Sequence, residues 1–234
     1  MDIPYFYHHD ITQDTRELSM PEESSRHIVS VLRMREGDSL MVVNGTGLTA
    51  TATVMKAHRK SCVLSLSGFG ISPDTRRPVS IGISLLKNAA RFEWMLEKAT
   101  EIGVRAIIPL LCDRTERQHF RSERLRGIVI SAMLQSKQAW MTEICEPVKF
   151  GEFVASVSHT QRYIAHCLPG SHSNLTEMHD HETDSIILIG PEGDFTESEI
   201  GAGMQNGFKA VSLGKNRLRT ETAGVVAAAL MCIQ

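Results

Sequence analysis

The sequence has no C-x-x-C pair, no apolar run of membrane-spanning length and no excess of basic charge. Each absence removes a class of protein. The five cysteines (Cys62, Cys112, Cys145, Cys167 and Cys232) are scattered and odd in number. That speaks against a disulfide framework or a zinc knuckle, and for reduced thiols buried as small apolar groups. A membrane helix needs about 20 consecutive apolar residues, and the opening MDIPYFYHHD lacks the basic-then-apolar layout of a secretory signal. A cytoplasmic protein with no membrane partner is therefore expected. The formal net charge is −2, so a polyanionic partner would have to be met by a local basic surface. Phosphate cradles are missing too: G-x-x-x-x-G-K-[ST] is absent, and no G-x-G-x-x-G opens an early βαβ unit.

What is present is enough apolar residue to build a core, 42% of 234 residues, which excludes bulk disorder. The first seventy or so residues alternate in the manner of strands. PYFYH, SLMVVN, LTATATVMKAH and SCVLSLSGF are rich in β-branched and apolar residues. Asn44-Gly45-Thr46-Gly47 predicts a hairpin turn, since these residues accept positive φ. PEESSRHIVSVLRMREGD predicts one helix, with Pro21 in its first turn, Glu22 and Glu23 at the positive end of the dipole and Gly37 just past its end. Residues 68–78, GFGISPDTRRP, are the best linker candidate. They divide a small β-rich module, residues 1–72, from a second domain, residues 73–234.

Beyond the linker, strands and helices alternate. VSIGISLL, AIIPLL, RYIAH, SIILIG and KAVSL are apolar strands; RFEWMLEKATEIG, SERLRGIVISAMLQSKQ, GEFVASV, TESEIGAGMQN and TAGVVAAALMCI are helices between or after them. In RFEWMLEKATEIG the residues Phe92, Met95, Leu96, Ala99 and Ile102 recur at helical spacing. Such alternation implies an α/β layer on a mostly parallel sheet.

Two loops near the end each leave an apolar strand and enter a helix: Ile189-Gly190-Pro191-Glu192-Gly193-Asp194-Phe195, and Leu213-Gly214-Lys215-Asn216-Arg217-Leu218-Arg219-Thr220-Glu221-Thr222. Ligands of open α/β sheets gather at the carboxyl ends of strands, where glycines let backbone approach closely and helix starts offer free N–H groups. Thr196 and Glu199 form a T-x-x-E capping box that fixes where the helix after the first loop begins. A single Gly-rich turn is more often only a turn. Two together, one carrying an arginine and a glutamate beside a helix of small residues, point to a site.

GPEGDF followed by LGKNRLRTETA resembles the motif pair of the RsmE-type ribosomal RNA uridine methyltransferases of the SPOUT superfamily, written GPEGG-F and LG-x-x-x-LRTETA. HIVSVLRMREG at 27–37 and LEKATEIGV at 96–104 are similar to two further motifs of that family. The resemblance implies a small N-terminal PUA-like β-barrel and a SPOUT α/β domain whose last segment threads a trefoil knot. It also implies a homodimer, S-adenosylmethionine as cofactor, and methylation of N3 of one uridine in the 16S RNA of the small ribosomal subunit. The cofactor would lie against Leu168, Pro169, Ile189, Gly190, Pro191, Glu192, Gly193, Leu213, Gly214, Leu218, Thr220 and Thr222, with Leu213 and Leu218 flanking the adenine. A uracil N3 anion spreads charge over two carbonyl oxygens, which a guanidinium stabilises; Arg219 is the first candidate and Arg217 the second. Glu221 is either the proton acceptor or a helix-start carboxylate that satisfies the dipole.

For RNA contact the candidates are Arg33, Lys60, Lys87, Arg91 and Arg114, the last within an arginine-rich stretch that continues to Arg117, Arg121, Arg124 and Arg126. His166, His172, His179 and His181 beside Cys167 fit no metal-ligand spacing, and LPGSHSNLTEMHDHETD reads as a solvated loop, so no metal is expected. Two departures from the family pattern stand out. Asp194 occupies the place of the motif's second glycine, where its tolerance of left-handed backbone should preserve the loop. LQSKQAWMT at 134–142 replaces E-Q-x-x-R-x-x-x-P and keeps only Gln135. A related enzyme acting on another rRNA or tRNA nucleotide, and an inactive RNA-binding module, are the competing readings.

Overall fold

The structure is a computed structural model that describes residues 3–116, 120–168 and 173–233. It separates into two compact units, Met1–Thr75 with Met133–Met141, and Arg76–Ala132 with Thr142–Gln234.

The first unit is built on β1 (Tyr5–Tyr7), β2 (Glu17–Ser19), β3 (Ser39–Val43), β4 (Leu48–Lys56) and β5 (Val63–Ile71), in the order β1-β3-β4-β5-β2. All neighbours are antiparallel except β1 with β3. Period-two alternation decides which face is core. Leu40 and Val42, Ala50, Ala52 and Val54, and Leu64 and Leu66 all point to one side and are buried. Asn44 shapes the β3–β4 turn as expected, its Oδ1 accepting from the N–H groups of Thr46 and Leu48 while Gly45 and Gly47 hold positive φ.

The expected helix is shorter than its sequence suggests. α1 (Glu22–Arg26) passes into a single π-helical turn, His27–Val31, and stops. Wide backbone bonds from Leu32 N–H to His27 and from Met34 N–H to Ile28 unwind it, and Arg33 turns left-handed at φ 56°. Pro21 sits at the N-cap rather than in the first turn, and Gly37 shapes the loop beyond. The linker is shorter too, because β5 runs on through Gly68 to Ile71.

Residues 133–141, expected with the C-terminal domain, cluster with this first unit instead. The Trp140 ring lies over Gly47, where an added Cβ would come within 2.5 Å of it, and its indole N–H donates to the Ser72 carbonyl at 2.9 Å. Val43, Met133 and Ala139 close a small apolar cluster there. The segment that departs most from the family pattern thus packs on the β-sheet through its own tryptophan.

In the second unit β6 (Val79–Ser84), β7 (Ala106–Leu111), β8 (Glu143–Ile144), β9 (Val148–Lys149), β10 (Gln161–Ala165), β11 (Ser173–Asn174), β12 (Ser185–Ile189) and β13 (Lys209–Ser212) form one sheet. Its order is β11-β13-β10-β12-β6-β7-β8, with β9 also on β7, and every pairing is parallel. The helices are α2 (Ala89–Ile102), α3 (Ser122–Gln135, its end from Met133 clustering with the first unit), α4 (Phe150–Ser156), α5 (Leu175–Met178), α6 (Glu197–Gln205) and α7 (Thr220–Cys232). Gly103 ends α2 in the left-handed C-cap conformation. The capping box of Thr196 and Glu199 starts α6 as expected.

The stretch after β10, read as a solvated loop, is partly structured. From residue 173 it adds β11 to the sheet edge and buries Leu175 in α5. His179 is also buried, and both it and His181 place a ring nitrogen 3.2–3.3 Å from the Met231 carbonyl in the last turn of α7. His172 and Arg117 lie outside the described residues.

Two features of this unit position the site. Because all strands are parallel, β10, β12 and β13 deliver their following loops to the same sheet edge. From β13, near one end of the sheet, α7 returns to pack on α2 and on the central strands β6 and β12. Its small residues make that approach possible: a Cβ at Gly224 would fall 2.9 Å from Met95 and 3.0 Å from Ile83.

Candidate active site

The loops after β10, β12 and β13 enclose a cleft of about 890 Å³, a size suited to a nucleotide-sized ligand. Ile189, Gly190, Pro191 and Glu192 form one wall, Leu213, Gly214, Arg217 and Leu218 another, and His166, Cys167 and Leu168 a third. Arg219, Thr220 and Glu221 line it where α7 begins.

The first loop is braced from several sides. Gly190 has no room for a side chain, since an added Cβ would meet the Phe195 nitrogen at 2.9 Å and its ring at 3.1 Å. Glu192 accepts from the Lys87 backbone N–H at 3.2 Å. Arg114 donates to the Gly193 carbonyl at 2.6 Å and to that of Phe195 at 3.4 Å. Asp194 takes φ 64°, as its replacement of a glycine requires. Its carboxylate then accepts from the N–H of Phe195 and from that of Cys167, both at 2.8 Å. The residue that departs from the family motif therefore ties the β12 loop to the β10 loop. Burial and the nearby Asp194 carboxylate push the exposed Cys167 thiol up, with Arg217 opposing, so that thiol is no ready nucleophile.

The second loop is more open. Ser212 Oγ bonds both the N–H and the carbonyl of Gly214, whose φ of 138° belongs to glycine. A Cβ built on Gly214 would meet nothing within 4 Å, so this backbone faces free space. Arg217 and Arg219 are exposed, and Arg219 has no side-chain capping bond. Glu221 is buried at 7% exposure. One of its oxygens lies 3.6 Å from Arg91 Nε, and among the described residues the other has no hydrogen-bond partner. An unpartnered buried carboxylate oxygen beside a cleft is where a ligand donor would be accepted.

The fold agrees with that of similar proteins. Residues 73–232 match the model of an RNA methyltransferase domain, and residues 21–67 that of an RNA methyltransferase PUA domain. The chain belongs to the RNA methyltransferase family. A relative from Synechocystis, named ribosomal RNA small subunit methyltransferase E, is 31% identical over 87% of this chain and 68% of its own length. A Porphyromonas gingivalis crystal structure, described as a probable rRNA-methyltransferase, has 38% identity and a TM-score of 0.89, covering 97% of this chain and 95% of that one. The ribosomal RNA small subunit methyltransferase E of Neisseria gonorrhoeae, bound to S-adenosyl methionine, has 26% identity and a TM-score of 0.86, covering 98% and 97%.

In this RNA methyltransferase most of the expected cofactor residues meet in the one cleft. Gly193 and Thr222 do not line it: Gly193 faces Arg114, and Thr222 lines a second hollow that shares Arg219 with the cleft. Pro169 lies outside the described residues. The expected RNA residues divide. Arg33 and Lys60 are exposed on the first unit. Lys87 pairs with Glu116 at 2.7 Å, and that carboxylate raises its pKa. Arg91 stands at the cleft beside Glu221, and Arg114 is spent on the loop carbonyls. Asp194 and Arg91 make contacts at the cleft that sequence reasoning missed. The signal for Asp194 was the motif departure itself; for Arg91 there was none, because its partner is 130 positions away in the chain.

Proposed function

We propose that this protein methylates N3 of one uridine in the 16S RNA of the small ribosomal subunit, using S-adenosylmethionine. The observation that carries the proposal is the convergence of both motif loops, with Arg219 and Glu221, on one cleft at the carboxyl edge of a parallel sheet. The names of the relatives support the RNA class. The residues fit the cofactor: Gly214 leaves backbone open to a ligand, Gly190 keeps the facing wall free of a side chain, and Leu213 and Leu218 offer apolar faces for an adenine.

When bound, S-adenosylmethionine supplies the methyl group, and its sulfur keeps the electron pair of the carbon–sulfur bond that breaks. The chain's own residues prepare the base. The imide proton at N3 passes to an acceptor, which we assign to the Glu221 oxygen that has no partner among the described residues, and the N3 lone pair then forms the new carbon–nitrogen bond. Arg219, with Arg217 nearby, stabilises the charge that develops on the flanking carbonyl oxygens. Arg91 orients Glu221 through their ion pair.

The N-terminal unit, about residues 1–72, adds RNA affinity through Arg33 and Lys60, while residues 73–234 hold the cofactor. The return of α7 to the centre of the sheet suits the knotted course the family resemblance implies, and the enzyme works as a cytoplasmic homodimer on the small subunit. Among the described residues no helix is long and apolar enough to cross a membrane. The test is primer extension and mass spectrometry of small-subunit RNA from cells with and without the gene. A stop at one uridine that vanishes on deletion supports the reading. A methyl lost from a different nucleotide overturns the uridine assignment, and no lost methyl overturns the function.

A further inference from the structure

Beside the cleft lies a second hollow of about 580 Å³ that shares Arg91, Arg217, Leu218, Arg219 and Glu221 with it and adds Ala90, Trp94 and Thr222. Trp94 is 45% exposed on α2, off the apolar stripe that buries Phe92, Met95 and Leu96. It shares a helix face with Ala90 and Arg91, four and three positions earlier. We infer that this hollow seats the target base and that Trp94 is the aromatic wall on which the base stacks.

The inference rests on the methyl-transfer reading above and deepens it. A base that reacts at a ring nitrogen must leave its stack, and the protein has to replace the lost stacking and read an edge. The hollow offers both kinds of contact. Trp94 presents the π-face, which any base can use. Glu221 presents a buried carboxylate oxygen with no partner among the described residues, which accepts from a ring or exocyclic N–H. Arg217 and Arg219 stand at the boundary with the cleft, suited to carbonyl oxygens or a flanking phosphate. The charged lining favours a nucleotide over a second copy of the chain, because interface cores are depleted of charge.

The experiment compares wild type with Trp94→Ala, Trp94→Phe and Trp94→Leu. The substrate is small subunits from cells lacking the gene. Trp94→Ala should lower kcat/KM for the subunit by about tenfold or more, with S-adenosylmethionine affinity by calorimetry unchanged within about twofold. Trp94→Phe should recover most of the loss and Trp94→Leu should not, which separates stacking from bulk. In a Trp140→Phe background Trp94 is the sole tryptophan, and its fluorescence should be quenched as subunits are added. Wild-type kcat/KM in Trp94→Ala, or equal rescue by leucine, overturns the stacking wall. So does a Trp94→Ala variant that changes sedimentation, because the residue then belongs to an interface between copies. A wild-type protein that neither binds S-adenosylmethionine nor methylates the subunit overturns the functional reading, and this subsite with it.

Discussion

The two loops that face each other across the cleft are built on different terms. Residues 190–195 are held from outside: Lys87 supplies a backbone donor, Arg114 two side-chain bonds, and Cys167 a backbone donor to Asp194. Behind them Glu199 closes the capping box and also accepts from the Asp113 N–H at 2.9 Å. Residues 213–219 carry the small Ser212–Gly214 knot of bonds, and Lys215, Asn216, Arg217 and Arg219 are exposed. One wall is braced by bonds from other segments before any ligand arrives; the other keeps exposed cationic groups toward solvent. The difference suits a site in which a fixed wall shapes the cofactor and an open wall meets the charge that develops during reaction.

The comparison breaks first at Gly190. Gly190→Val would drive a branched side chain into the Phe195 backbone at 2.9 Å, in a loop with nowhere to shift. Overpacking of this kind costs about 1–3 kcal/mol. A lower melting temperature and cofactor affinity reduced about a hundredfold are expected by calorimetry. Normal binding would mean the first wall yields as readily as the second. On the open wall, Arg219→Lys keeps the charge but not the planar fork. It should leave cofactor affinity within about threefold and slow single-turnover methylation roughly 10- to 100-fold. An unchanged rate would reduce Arg219 to a tether between loop and helix.

How much of this was legible in the sequence differs between the two walls in the same way. The open wall was readable, because its exposed arginines and glycines sit together in one contiguous stretch, LGKNRLRTET. The braces of the fixed wall were not, since Lys87, Arg114 and Cys167 reach residues 190–195 from three other elements. Arg114 shows the cost: one arginine among several in a basic stretch reads as a phosphate contact, and only the fold turns it toward two carbonyls. The major strands and helices followed from periodicity, and the Thr196 capping box was visible residue by residue. Strands of two or three residues, β2, β8, β9 and β11, were not, because they join the sheet by tertiary pairing rather than by any pattern of their own. Trp140 belongs with them: nothing near it in the sequence indicates that it packs on Gly47, 93 positions earlier.

A smaller effect separates a brace from the residue it holds. Arg114→Ala removes both loop bonds. Bonds from a charged donor contribute about 1.5–3 kcal/mol when shielded, and less at this exposed site. Cofactor dissociation constants should rise three- to tenfold, by roughly 1 kcal/mol. Gly193→Ala adds a Cβ 3.3 Å from the flexible Arg114 Cδ and should change binding less than about twofold. A larger effect from Gly193→Ala than from Arg114→Ala would put ligand, not arginine, against that glycine.

The sharpest change is at Asp194, where two explanations of one residue make opposite forecasts. Either aspartate merely tolerates φ 64° in a glycine's place, or its carboxylate is needed to join the β12 and β10 loops. Asp194→Gly keeps the backbone at no steric cost but loses the acceptor for Cys167 N–H. Asp194→Asn keeps both the tolerance of φ and one accepting oxygen, which can serve Cys167 or Phe195 but not both. Asp194→Ala loses the acceptor and adds about 1 kcal/mol of left-handed strain. If the tether matters, cofactor affinity should fall in the order Asp, Asn, Gly, Ala, with glycine two- to fivefold weaker than wild type. If only φ matters, glycine should match or exceed aspartate and alanine alone should suffer. Calorimetry on the full chain distinguishes the two, and glycine decides: wild-type affinity in Asp194→Gly would remove Asp194 from the braces of the fixed wall and leave Lys87 and Arg114 to hold it.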